Sequence, residues 1–293
     1  MSSLSHVAPG LRCLRAPNPG PLTGTGTNTY LVGEGEVAVI DPGPDMPGHL
    51  HAILGALDPG ERISQILVTH SHRDHSALAP ALAAMTGAPV LGFGDSTAGR
   101  SAFMQSLALD LDLGGGEGVD RAFAPDIMLA DGDEVLVGPF TLRALWTPGH
   151  MGNHLCFWWD GHVFSGDHVM GWATTLVSPP EGDLGAFMAS LDRLEGTAPA
   201  RLFPGHGAPV DDGLARIRAL RTHRQAREAA ILRALTRGPR CIPDLTAEVY
   251  ADTPGHLLPA AARNVFAHLL HLCQQGRAAA QSALHPDAVF HLN

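Results

Sequence analysis

The chain has 293 residues, 45% of them apolar and 16% charged, enough for one sizeable α/β core with a smaller appendage. That composition excludes a disordered or fibrous chain, and the formal charge of −10 argues against broad, nonspecific attraction to nucleic acid or anionic membrane. No run approaches ~18 consecutive apolar residues, and Cys13, Cys156, Cys241 and Cys273 form no C-x-x-C pair. The expectation is a cytoplasmic protein with free thiols and no membrane partner.

Taken in chain order, the first thirty-three residues are acid-free and carry Arg12 and Arg15, faintly like a transit peptide, but residues 11–14 and 29–32 read better as strands. Residues 30–32 and 37–40 flank Gly33-Glu34-Gly35, a hairpin signal. Residues 63–69 are a buried-type strand, followed by an Ala-rich helix over 76–86. Residues 141–146 form another strand. Residues 155–159 and 162–165 are joined by Asp160-Gly161, a two-residue hairpin turn. A helix over 184–194 and a short strand over 201–203 follow. Hairpins together with interleaved helices predict an α/β protein of mixed sheets with helices packed outside.

Past residue 213 the texture changes. A long helix is predicted over 214–235, broken by Gly238-Pro239, then a short helix from Ile242-Pro243 to Tyr250 and a third over 257–275. Extended pieces at 278–282 and 288–292 complete three helices and a hairpin, the order of a winged helix. Two domains are expected, 1–213 and 214–293. All nineteen basic residues are Arg, and eight fall between Arg216 and Arg240. That stripe reads either as a solvated helix face or as the footprint of an anionic substrate or partner.

The chemistry concentrates in Thr69-His70-Ser71-His72-Arg73-Asp74-His75, at the end of a strand. In extended chain His70 and His72 project to one side, while Asp74 and His75 open the next helix and point elsewhere. Imidazole and carboxylate both ligate zinc, which takes about four donors, so four candidates in two directions suggest two neighbouring metals. His150, Asp167 and His206 each end a short apolar strand followed by a Gly-containing turn, and can share one edge of a sandwich. A lone His after a strand is usually structural; the same context recurring through the set is what gives it weight.

These residues resemble the HxHxDH motif and the later His, Asp and His of the metallo-β-lactamase superfamily. The resemblance implies an αββα sandwich, with His70, His72 and His150 on one zinc ion, Asp74, His75 and His206 on a second, and Asp167 bridging both. Manganese or iron are alternative occupants. Such a pair lowers the pKa of a shared water towards about 7, and Asp74, the expected catalytic residue, would also orient that nucleophile and take its proton. The chain further resembles the β-lactamase-like protein 2 family, whose animal members are single-stranded-RNA endonucleases. That likeness runs through Gly26-Thr27-Asn28-Thr29-Tyr30, Thr147 to His150, Phe164-Ser165-Gly166-Asp167, Pro204-Gly205-His206-Gly207, His223-Arg224 and Asn264 to Leu270. This chain departs from it in having no Lys.

The expected function is therefore hydrolysis of an ester-type bond, in single-stranded RNA or in a small-molecule carboxylic ester or thioester. A glyoxalase-II-like thioesterase is the alternative enzyme. The non-enzyme alternative is a winged-helix DNA-binding sensor of metal or ligand, with residues 257–275 as recognition helix. A homodimer contact or a cover over the site are other uses for the C-terminal module. Asp41 is read either as the residue orienting a ligand histidine or as a turn residue. His154 is read as a substrate contact or a plain strand histidine, and Trp172, Thr174 and Thr175 as pocket lining or packing. His168, His223, His268 and His271 are read as ordinary residues.

Overall fold

Short apolar runs of period two or of continuous buried type become two facing sheets. The computed structural model describes residues 3–110, 113, 116 and 118–293. The first sheet holds β1 (Ser3–Ala8), β2 (Leu11–Arg15), β3 (Asn28–Glu34), β4 (Glu36–Ile40), β5 (Arg62–Leu67), β6 (Val90–Gly92) and β7 (Ile127–Met128), side by side in that order. Its first four strands are antiparallel neighbours and β4 to β7 run parallel. The second sheet holds β8 (Glu134–Val137), β9 (Phe140–Trp146), β10 (Leu155–Trp159), β11 (His162–Gly166) and β12 (Arg201–Pro204), in the order β12-β11-β10-β9-β8. The Asp160-Gly161 turn joins β10 to β11 with both residues at positive φ (46° and 79°), the twist a two-residue hairpin requires.

Parallel pairing needs crossovers, and helices supply them. α1 (Pro47–Gly55) joins β4 to β5, and α2 (Arg73–Ser76) with α3 (Ala79–Thr86) joins β5 to β6. α4 (Ala102–Asp110) follows β6, and α5 (Leu184–Gly196) joins β11 to its parallel neighbour β12. The single helix expected over 76–86 is two, because the ligand-bearing turn Arg73–Ser76 starts early and Pro80 sits in the first turn of α3, where its missing N–H is harmless.

The inner faces meet in one core, with Tyr30, Ile40 and Leu67 from the first sheet against Val137, Leu155, Phe157, Phe164 and Phe203 from the second. Leu31, Val39 and Ile66 on the outer face of the first sheet pack on Ile53 and Leu82 of α1 and α3. Leu145, Val163 and Leu202 on the outer face of the second pack on Phe187 and Leu191 of α5. This is the αββα sandwich.

α6 (Gly213–Leu235) serves both parts of the chain. Ile217 and Leu220 complete the layer over the second sheet, while Ile231, Ala234 and Leu235 enter a separate core with α7 (Ile242–Val249) and α8 (Leu258–Gln274). β13 (Arg240–Cys241), β14 (Ala278–Ala280) and β15 (Val289–Leu292) make a three-stranded sheet ordered β13-β15-β14, giving the winged-helix arrangement. Ala267 of α8 packs against the sandwich, and Met104 and Leu107 of α4 join the C-terminal core. Among the described residues no helix is long and apolar enough to cross a membrane.

Candidate metal centre

Strand direction decides where the candidate ligands emerge. β4 and β5 are parallel, so Asp41 and the 70–75 turn that follow them leave the same edge of the first sheet. β11 and β12 are parallel, and β9 and β11 both run opposite to β10, so β9, β11 and β12 all end at one edge of the second. His150, Asp167 and His206 follow those three ends. Backbone bonds hold the two edges together: Leu155 N donates to Thr69 O at 2.7 Å and Asn28 N to Gly205 O at 2.7 Å. At Gly205 a side chain would displace the donors, because a Cβ would lie 2.6 Å from both Asp167 Oδ1 and His75 Cε1.

All seven predicted residues converge. His70 Nε2 lies 2.8 Å and His150 Nε2 3.0 Å from His72 Nδ1. His75 Nε2 and His206 Nε2 are 3.3 Å apart, and Asp74 Oδ2 is 3.2 Å from His206 Nε2 and 3.6 Å from His75 Nε2. Asp167 stands between the groups, with Oδ1 3.5 Å from His75 Nε2 and Oδ2 3.4 Å and 3.8 Å from His206 and His150. Donor atoms within 4.8 Å of one another form three sets: His70, His72 and His150; His70, His75 and Asp167; Asp74, His75 and His206.

The outward nitrogens explain why these rings face inward. His75 Nδ1 donates to Asp41 Oδ2 at 2.9 Å, His150 Nδ1 to Leu176 O at 2.7 Å and His206 Nδ1 to Gly26 O at 3.2 Å. Thr69 Oγ1 donates to Asp41 Oδ2 at 2.8 Å, which leaves it to accept from His70 Nδ1 at 3.0 Å. With protons on the outward atoms, the Nε2 atoms of these rings are free to turn lone pairs inward, as metal-ligating histidines do. Burial, with repulsion from neighbouring imidazoles, pushes His70, His72 and His150 below the ordinary range, His72 to about 3. Burial also opposes charge on His75 and His206, but Asp74 and Asp167 outweigh it and raise both, His206 to about 9. His72 Nδ1 faces two Nε2 atoms at 2.8 and 3.0 Å and with one proton can satisfy only one of them, and the buried Asp167 Oδ1 accepts no hydrogen bond among the described residues. A nitrogen-and-carboxylate donor set of this kind fits a pair of divalent cations.

Residues 22–206 match the family model of the metallo-beta-lactamase superfamily, and residues 241–284 match that of the beta-lactamase associated winged helix domain. The chain belongs to the metallo-beta-lactamase superfamily. It is 32% identical over 289 residues to a beta-lactamase-like protein 2 homolog of Caenorhabditis elegans, covering 94% of this chain and 90% of the relative. An atrochrysone carboxyl ACP thioesterase of Aspergillus terreus is 31% identical over 244 residues, 82% of this chain and 68% of the relative. A crystal structure of a metallo-beta-lactamase family protein from Thermus thermophilus superposes with a TM-score of 0.77 at 28% identity, covering 98% of this chain and 99% of that one.

Around this superfamily centre the structure separates the remaining candidates. Asp41 is the orienting carboxylate: it accepts from Thr69 N and Oγ1, both at 2.8 Å, and from His75, and it holds a left-handed φ of 52° to do so. His154 does not face substrate. It is fully buried, with Nδ1 donating to Thr147 Oγ1 at 3.0 Å and Nε2 accepting from Asp167 N at 3.2 Å. Trp172 is 46% exposed and lies against Gly24 and Gly207 at the rim, whereas Thr175 is buried and bonds the backbone of Asp167. A cleft of about 530 Å³ lined by Arg73, Asp74, Asp120 and Phe123 opens beside the site.

The arginine stripe divides: Arg218, Arg233 and Arg237 are exposed on the solvated face, whereas Arg224 is buried. Arg216 and Arg224 turn inward onto backbone carbonyls, Arg218 and Arg221 pair with Glu195, Arg227 bonds Val249 O and Arg237 pairs with Glu248. Sequence reasoning missed Asn28 and Tyr30, which anchor the His206 turn through Pro204 O at 3.0 Å and 2.8 Å. It also missed what Arg224 and Asn264 do. For Asn264 the available signal was a polar residue inside the largely apolar α8; Arg224, in an arginine-rich helix, carried none.

Proposed function

We propose that this protein is a dinuclear metal-dependent hydrolase of ester-type bonds, with a carboxylic ester or thioester as the favoured substrate class. The observation that carries the reading is the shared carboxylate: Asp167 lies between a three-histidine set and an Asp74, His75, His206 set. His70, His72 and His150 would hold one ion, Asp74, His75 and His206 the other, with Asp167 touching both; zinc suits this donor set best, with manganese or iron as alternatives. When bound, such a pair ionises water at neutral pH and polarises the bond under attack.

The chain supplies the rest. Asp74 is the more exposed of the two carboxylates, its side chain 26% accessible against 10% for Asp167 and its head beside the cleft, so it is the one able to orient an incoming water and accept its proton. Thr27 Oγ1 donates to Asp74 Oδ2 at 3.4 Å, restricting which lone pair faces the substrate. His154 and Thr175 hold the Asp167 backbone from opposite sides, and Asp41 fixes His75.

The thioesterase name of the A. terreus relative supports the carboxylic class. Similarity to a beta-lactamase-like protein 2 homolog over nearly the whole chain supports single-stranded RNA as the second reading. Arg218 and Arg221 are paired with Glu195 and Arg237 with Glu248, and Arg216 and Arg224 turn inward, so much of the stripe's charge is already matched, which favours the first. The DNA-reading alternative is weakened by α8, whose Val265, Phe266, Leu269 and Leu272 are buried and whose Arg263 bonds Leu113 O.

The test is a screen of zinc-loaded protein against a glutathione thioester, a lactone, a short single-stranded RNA and bis-p-nitrophenyl phosphate, with Asp74→Ala as control. Thioester or lactone turnover lost on chelation and in the variant is expected. Turnover equal in the variant, or a protein that takes up no metal, overturns the proposal.

A further inference from the structure

The loop at residues 170–177 is gripped from the C-terminal helices. Arg216 of α6 donates to Met170 O at 2.7 Å and Ala173 O at 2.6 Å. Arg224, further along the same helix and fully buried, donates to Thr174 O at 2.6 Å and to Thr175 O. Its other arm donates to Asn264 Oδ1 of α8 at 3.0 Å, and the same oxygen accepts from Val177 N at 3.0 Å. Two donors on one oxygen fix the orientation of the Asn264 amide, whose nitrogen donates to Ala260 O at 3.3 Å. Thr175 sits at a left-handed φ of 60°, a conformation that persists only where the surroundings over-determine it.

Val177 N–H and Leu176 C=O belong to one planar peptide unit. The N–H end is held by Asn264, and the C=O end accepts from His150 Nδ1 at 2.7 Å. A continuous path of hydrogen bonds therefore runs from Arg224 to Asn264 and on through a single rigid peptide to His150, with the bonds at the two ends of that peptide polarising each other. Thr175 Oγ1, in the same loop, donates to the backbone of Asp167 at 2.8 Å.

We infer that Asn264 and Arg224 are positioning residues for the metal centre, and that the winged-helix module completes the His150 side of the site. The inference rests on the dinuclear reading. Leu176 O is the acceptor that holds the outward nitrogen of His150, so losing the far anchor frees this carbonyl to rotate and releases the ring. Outer partners of ligand histidines typically set ten- to a hundred-fold in metal affinity. One bond further out, about ten-fold is expected for the ion held by His70, His72 and His150, with the other ion little changed.

Four full-length variants test this by zinc titration against a competing chelator, by the visible spectrum of the cobalt-loaded protein and by thermal melting. Asn264→Ala loses the acceptor and weakens one of two ions; Asn264→Asp keeps the acceptor and restores it. Arg227→Met removes a different α6 contact, to Val249 O and the Tyr250 ring, and is expected to lower the melting point without touching metal affinity. Should Asn264→Ala fail to fold, Arg224→Lys, which cannot span the same acceptors, takes its place with the same expected loss. Two ions bound as tightly in Asn264→Ala, or in Arg224→Lys, as in the parent overturn the positioning role alone. Equal losses in Arg227→Met overturn it in favour of general module stability. A parent that binds no metal overturns this role and the dinuclear reading together.

Discussion

Asp41→Asn isolates the support beneath the His75 ligand. Asp41 accepts three hydrogen bonds, from Thr69 N, Thr69 Oγ1 and His75 Nδ1, at 2.8–2.9 Å. Asparagine offers one oxygen and one amino group in that place. Its better orientation keeps the oxygen toward Thr69 Oγ1 and His75 and sets NH₂ against the Thr69 N–H, leaving two buried donors face to face without an acceptor. That costs about 1–3 kcal/mol, and losing the charge on the acceptor of His75 about one more. The backbone adds nothing, because asparagine tolerates the φ of 52° that Asp41 adopts. For a chain of this size a loss of about 2–4 kcal/mol lowers Tm by roughly 5–10 °C, measured on the metal-free protein by calorimetry. The zinc affinity of the ion nearest His75 should fall about 10–100-fold in chelator competition. Asp41→Ala must be worse than Asp41→Asn by a further ~1 kcal/mol or more, since alanine resists the left-handed backbone. An Asn variant with parental melting and parental affinity, or an Ala variant more stable than the Asn variant, refutes this account.

Gly205→Ala puts a methyl group 2.6 Å from Asp167 Oδ1 and His75 Cε1; circular dichroism should stay native while turnover falls about 100-fold, the effect of an ångström-scale misplacement. Chelating the metals should lower Tm, since ligands bound a hundred-fold above Kd contribute about 2.7 kcal/mol; an unchanged melting point in excess EDTA, with emptied sites confirmed by elemental analysis, would contradict this. His49 is buried beside Thr29 Oγ1, and burial lowers it from 6.5 to about 4. A histidine kept neutral by the fold stabilises fully above pH 6.5, and that contribution drains away as pH falls from 6.5 towards 4. His49→Gln should therefore flatten the acid limb of a denaturation series by about 3 kcal/mol relative to the parent, and identical limbs would exclude the assignment.

The strands were legible wherever apolar runs met strong turn signals. The 155–165 hairpin and the long helix past residue 213 fall where the pattern puts them, at β10–β11 and α6. The short elements were not. α1 is glycine-containing and apolar on more than one face, and β6 to β8 are two to four residues long, so neither carries a readable period. Their existence depends on the sheet that receives them.

The seven donors were legible because imidazole and carboxylate after short strands is a local pattern. Chain connectivity alone could pair them with the right chemistry. What it could not express is orientation. Whether Asp41 faces His75, whether His154 points at substrate or at the Asp167 backbone, and whether Arg224 lies on a solvated stripe or inside the protein all turn on residues 13 to 50 positions away. A side chain's type is a local property, while its hydrogen-bond partner is set by which sheet edges and helices come together. The amino-acid order determined the donor set of the candidate metal centre and the two-part build. Packing of α6 and α8 onto the second sheet decided that Arg224 and Asn264 bond the loop whose Leu176 carbonyl holds His150.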